Sequence, residues 1–135
     1  AGRWLAAHGA RAAIDISDGL AGDAAHLSAA SGVACVLDLG ALPCAPDVAP
    51  EAALASGEEY ELLVAAPALD VRAFREACGG LALTPVGRCR AAAPAAAAEG
   101  APGTVRAGLP HVTVERGGVP VALPRAHDHF TGAPR

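Results

Sequence analysis

The sequence predicts an α/β or α+β fold, a mixed β-sheet flanked by helices, and three observations predict it. Short apolar runs at 12–17, 33–39 and 62–66 alternate with segments whose apolar residues recur at helical spacing. Two β-prone runs around Arg116-Gly117-Gly118 then form a hairpin pattern, which adds antiparallel pairing to that alternation. At 135 residues the chain suits a single domain.

The elements follow in order. Arg3 to His8 reads as a helix end that turns Trp4 and Leu5 inward, with Gly9 as its stop. In the next run Ala12, Ile14 and Ile16 alternate with Ala13, Asp15 and Ser17, the pattern of a strand with one polar face. Asp18 falls where a helix N-cap is expected, Gly19 permits a tight turn, and Leu20, Ala24, Leu27 and Ser31 continue at helical spacing up to Gly32. Val33 to Leu39 is nearly all apolar, as in a buried strand. A Pro/Ala-rich loop leads to a short helix opened by Pro50-Glu51 and closed at Ser56-Gly57. Leu62 to Ala66 is the clearest strand signal, and Pro67 stops it. Asp70 to Cys78 is amphipathic, with Val71, Phe74 and Cys78 on one side, and ends at Gly79-Gly80. Thr84 to Cys89 reads as a short strand, Ala91 to Gly103 as a low-complexity surface loop, and Val112–Glu115 with Val119–Leu123 as the hairpin.

Composition narrows the function classes. Aromatic residues are 3% of the chain, so the core is expected to be Ala, Val and Leu, with Trp4, Tyr60, Phe74 and Phe130 as its few large fillers. The net charge is −4 and all ten basic residues are scattered arginines, which argues against nucleic-acid binding. No apolar run approaches the ~20 residues that span a bilayer, so no membrane partner is expected. Methionine is absent, so the sequence reads as a piece of a longer polypeptide. Cys35, Cys44, Cys78 and Cys89 lack CxxC spacing and read as reduced thiols of a cytoplasmic protein, neither a zinc site nor a disulfide frame.

The chemistry concentrates where the first strand ends. Asp15, Ser17 and Asp18 are expected within a few ångströms of each other, and close carboxylates repel unless a cation or shared proton offsets them. Mg²⁺ commonly takes one or two carboxylates plus substrate phosphates, and a helix N-terminus favours a phosphate nearby. The plainer alternative is a helix cap at Asp18 and a solvated strand end at Asp15. A Walker-type loop is excluded because the chain has no lysine. An aspartate-nucleophile phosphohydrolase fits poorly, since its second Asp would be Ser17 here and its downstream Lys is missing. Glu58, Glu59 and Glu61 crowd three like charges that need solvent, a cation, a cationic substrate or arginine partners. Gly57 before them would let the backbone approach a ligand closely. His127-Asp128-His129 resembles a metal triplet, but histidines at i and i+2 of an extended segment face opposite ways.

Several of these motifs, in this order, resemble one family. They are Ala13-Ile14-Asp15-Ile16-Ser17-Asp18-Gly19-Leu20 with Asp23 and His26; Ser31-Gly32-Val33; Leu37-Asp38-Leu39; Leu54 to Leu63 with Gly57-Glu58-Glu59-Tyr60-Glu61; Val86-Gly87-Arg88; and Asp128-His129-Phe130. Together they resemble the C-terminal domain of thiamine-monophosphate kinases, within the aminoimidazole ribonucleotide synthetase superfamily. The resemblance implies that superfamily's C-terminal-domain fold across residues 1–135. It also implies Mg²⁺-assisted in-line transfer of the ATP γ-phosphoryl group to thiamine monophosphate, with no side-chain nucleophile. By position, Asp15 and Asp18 would be Mg²⁺ ligands, Ser17 an ATP contact, and Glu58 and His127 substrate contacts. An N-terminal half, absent from this sequence, would supply further metal ligands and a homodimer interface. Two positions depart from the family pattern: Glu59 replaces an Asp, and His127 replaces an aromatic residue whose ring would meet the cationic thiazolium. A superfamily relative with a different acceptor, and a non-catalytic ligand-binding domain, are the alternative readings.

Overall fold

The computed structural model describes residues 1–57, 60–92 and 111–122. The elements run α1 (Gly2–Ala7), β1 (Ala12–Asp15), α2 (Leu20–Ser31), β2 (Val33–Asp38), a 3-10 turn (Leu39–Ala41), α3 (Pro50–Ala55), β3 (Leu62–Ala65), α4 (Val71–Ala77), β4 (Gly87–Ala91), β5 (Val112–Arg116) and β6 (Val119–Pro120). The expected class holds: helices flank a sheet of mixed orientation. The strands divide into two sheets, a four-stranded one ordered β4-β2-β5-β6 and a separate antiparallel pair, β1 with β3.

β2 is the centre of the larger sheet because its sequence leaves it nowhere else to go. Ala34, Cys35, Val36 and Leu37 are all buried, so both faces of the strand are covered. It pairs antiparallel with β4 and parallel with β5, where Cys35 lies opposite Val112 and Leu37 opposite Val114. Those four side chains share one face, and α2 packs on it through Leu20, Ala24 and Ala25. Fully covering a side chain such as Leu or Val contributes roughly 1.5–3 kcal/mol. Leu54 of α3 and Leu39 close the same cluster, both almost without exposure.

α2 ends at Gly32, which adopts the left-handed conformation (φ 63°) that a non-glycine residue reaches only with strain. Asp70 caps α4 by accepting a hydrogen bond from the Ala73 N–H at 2.9 Å. The hairpin forms as expected, although β6 stops at Pro120. Gly117 (φ 58°) and Gly118 (φ 80°) supply the two positive dihedrals of a type I′ turn.

Two expectations change. The strand expected over 84–89 is β4, Gly87–Ala91, whose first residue lies opposite Leu37 near the C-terminal end of β2 and packs its backbone against the Val36 carbonyl. Residues 62–65 form the strand expected there, half-exposed in the small sheet, with Leu62 exposed. Tyr60 is fully exposed at φ 55° and is no core filler. Phe74 is one: it is buried and meets Trp4 edge-on at 5.2 Å, while Trp4 stacks on His8 at 3.7 Å. Phe130 and the loop from residue 93 lie outside the described residues.

Candidate functional site

The site is built at the end of the small sheet. β1 presents Ala13 and Asp15 to solvent and half-buries Ala12 and Ile14, so the alternation read in the sequence is real. Asp15 pairs with Leu62 across the ladder, and the Ile16 N–H donates to the Glu61 carbonyl at 2.9 Å. One step further, the Gly57 backbone lies directly on the carbonyl of Ser17, leaving no room for a side chain at position 57. The close approach expected of Gly57 is thus made to the chain's own Ser17 turn. Gly57 and Glu61 thus both contact the Asp15–Asp18 segment, at Ser17 and Ile16. Glu58 and His127 themselves lie outside the described residues.

The turn between β1 and α2 is held differently from the sequence expectation. Asp18 does not cap α2. The N-cap is Gly19, at φ 96° and ψ 148°, where any side chain would meet the Leu54 carbonyl and the Ala55 backbone. The capping runs the other way. Asp23, inside the helix and 1% exposed, accepts hydrogen bonds on Oδ2 from the Ser17 N–H at 2.9 Å and the Asp18 N–H at 3.1 Å. A buried carboxylate is tolerated here because two N–H groups and the positive end of α2 meet its charge. His26 Nδ1 lies 3.7 Å from Asp23 Oδ1 on the outer side.

Asp23 is the residue that sequence reasoning passed over as an individual group. Its signal was present: it falls three residues after Leu20 and one before Ala24, on the face of α2 that packs inward. An acid on such a face must have a dedicated partner.

With its backbone pinned by Asp23, the turn projects Asp15, Ser17 and Asp18 into solvent. Among the described residues, neither the Asp15 nor the Asp18 carboxylate has an ion-pair partner, so both are open to an incoming ligand. One ligand atom each of Asp18, Asp23 and His26 lies within 4.8 Å of the others, and Asp15 is not in that group. Exposed, unpaired carboxylate oxygens at a strand end suit a hard divalent cation of the Mg²⁺ type, which favours few carboxylates and shares its shell with water or phosphate. Among the described arginines, three pair with other acids: Arg72 with Glu76 at 2.9 Å, Arg88 with Glu115 at 2.9 Å and Arg116 with Glu51 at 2.5 Å. No helix among the described residues is long and apolar enough to cross a membrane.

Among curated proteins, a thiamine-monophosphate kinase of Halobacterium salinarum is 43% identical over 99 residues, covering 69% of this chain and 34% of that protein. The chain therefore spans about a third of the relative's length. Residues 2–93, which include α1 through β4 and the whole Asp15–Asp23 turn, match the family described as AIR synthase related protein, C-terminal domain, and the chain belongs to that family.

Proposed function

We propose that this chain is the C-terminal part of an ATP-dependent kinase that transfers the γ-phosphoryl group of ATP to thiamine monophosphate, giving thiamine diphosphate and ADP. The observation that supports the reading is the exposed Asp15–Asp18 turn, against which the Asp15–Leu62 register and the Gly57–Ser17 contact bring Gly57 and Leu62. The similarity to the Halobacterium kinase supports the acceptor.

In this reading Asp15 and Asp18 hold Mg²⁺, Ser17 contacts ATP, and Glu58 and His127 contact the acceptor. Bound Mg²⁺ supplies charge neutralisation on the phosphates. The chain's residues supply position: phosphoryl transfer depends mainly on alignment and electrostatic stabilisation, so no nucleophilic side chain is needed. Glu58 offers a negative charge to the cationic thiazolium. A preceding N-terminal part of the polypeptide contributes the remaining metal ligands and a homodimer interface, the isolated chain does not turn over, and the enzyme works in the cytoplasm. His127, where the resembled family carries an aromatic residue, is the one observation that favours a different acceptor.

The test uses the full-length polypeptide and measures ATP consumption across phosphorylated and carboxylated acceptors. Turnover with thiamine monophosphate alone is expected. Turnover with another acceptor would move the protein elsewhere in the superfamily, and turnover with none would make it a binding domain. Asp15→Asn and Asp18→Asn are each expected to lower kcat by at least ~100-fold, the scale of losing one preorganised electrostatic contact. Both should also weaken Mn²⁺ binding by calorimetry while leaving circular dichroism unchanged. Near-normal rates and metal affinity in both variants would refute the metal assignment.

A further inference from the structure

We propose that Cys35 and Cys89 form a redox-modification site, closing to an intramolecular disulfide when a small-molecule disulfide is the oxidant. The two residues are direct partners in the antiparallel ladder between β2 and β4. The Cys35 N–H donates to the His111 carbonyl, on the β5 side, while the Asp38 N–H donates to Val86, on the β4 side. Alternate residues of β2 therefore turn their backbone groups to opposite neighbours, and Cys35 and Cys89 form a non-hydrogen-bonded pair. In such pairs the Cα atoms are about 4.5 Å apart and the side chains stand closest. That spacing lies within the roughly 4.4–6.8 Å that a disulfide requires. The sulfurs are already in contact at 3.7 Å.

The two ends differ in a way that sets the order of events. Cys35 is buried at 7% exposure, whereas Cys89 is exposed on the edge strand and meets the oxidant first. Its thiolate attacks one sulfur of the small disulfide, forming a mixed disulfide and releasing one small thiol. Cys35, losing its proton to solvent, then attacks the Cys89 sulfur and expels the second small thiol. Two protein thiols are oxidised, one small disulfide is reduced to two thiols, and one S–S bond is gained for the one consumed. Desolvation first, then the neighbouring Cys35, raises the Cys89 thiol above its ordinary range, so its reactive thiolate becomes more abundant and closure by the oxidant faster as pH rises. With Cys89 exposed, the bridge is open to attack by excess thiol.

The experiment treats the folded chain with oxidised glutathione and maps the products by mass spectrometry, using wild type and the Cys44→Ser/Cys78→Ser double variant. The expected product has lost two hydrogens, carries no glutathione, and gives a single peptide pair joining Cys35 to Cys89, reversed by excess reduced thiol. Cys89→Ser is expected to give no internal bridge to Cys35. Glutathione retained on Cys89 without closure, a bridge that uses Cys44 or Cys78 instead, or the same mixture of bridges from the urea-unfolded chain as from the folded one would each overturn the proposal. The outcome does not depend on the kinase reading, because nothing in the assay involves ATP or metal.

Discussion

Asp23 shows most plainly how one side chain sets up chemistry at others. Its carboxylate is almost wholly buried, and its two hydrogen bonds fix the backbone from which Ser17 and Asp18 project. Hydrogen bonds to a charged group contribute about 1.5–3 kcal/mol each, and losing the acceptor leaves two N–H groups with nothing in its place. Asp23→Ala is therefore expected to destabilise the fold by about 2–4 kcal/mol in a denaturant titration. Asp23→Asn keeps an oxygen in position and is expected to cost less than half of that. Equal losses for the two would mean that the carboxylate merely fills space. Part of this residue's role was legible in the sequence, since an acid on the inward face of an apolar helix demands a partner. The identity of the partners was not, because backbone N–H groups leave no trace in a sequence. For the same reason Asp18, a favourable cap by residue type, was displaced from that role by Gly19. The chain needs a positive φ there to bring α2 close to α3, and only glycine reaches it cheaply.

At the scale of elements, helices announced themselves through their ends and strands through their runs, and both signals were dependable. α2, α3 and α4 begin and end within a residue or two of their expected positions, since Gly32, Pro50, Asp70 and Gly79 act locally. Strand pairing is non-local, and here the sequence was less legible. The apolar run at 62–65 pairs, among the described strands, with β1 of the small sheet, while β4, every residue of it exposed, is part of the main sheet. A strand's hydrophobicity reports how much of it is covered, not which neighbour covers it. The contact between the Gly57 backbone and Ser17 is an element-level joint of this kind, locking the end of α3 to the β1–α2 turn. Gly57→Ala places a methyl group against a carbonyl oxygen that cannot yield without moving the turn. Its expected cost is about 1–3 kcal/mol, read as a lower Tm, with metal affinity falling in parallel. By contrast, nothing crowds Gly117, and Asn is favoured at its position in a type I′ turn. Gly117→Asn is expected to raise stability by about 0.4–1 kcal/mol.

The whole molecule is arranged so that one sheet carries stability and the other carries the candidate site. The large sheet and α2 hold most of the buried residues; the small one stands at its side with solvent-exposed acids at its tip. That division explains why the fold class could be anticipated from alternation and composition while the site could be anticipated only as a set of residues. Which segments meet at the tip depends on the β1–β3 register, and register is a property of two strands together.

β2 carries one more implication, for the way the protein is made. Both neighbours of this strand, β4 and β5, are encoded after it, and its parallel partner Val112 lies far downstream of Cys35. As the nascent chain leaves the ribosome, an apolar strand with two open edges must wait until β4 and β5, through residue 116, have been translated. A version ending at residue 92 is expected to aggregate rather than show a cooperative melt, and chaperone occupancy during synthesis should peak after β2 emerges and fall once residue 116 has cleared the exit tunnel.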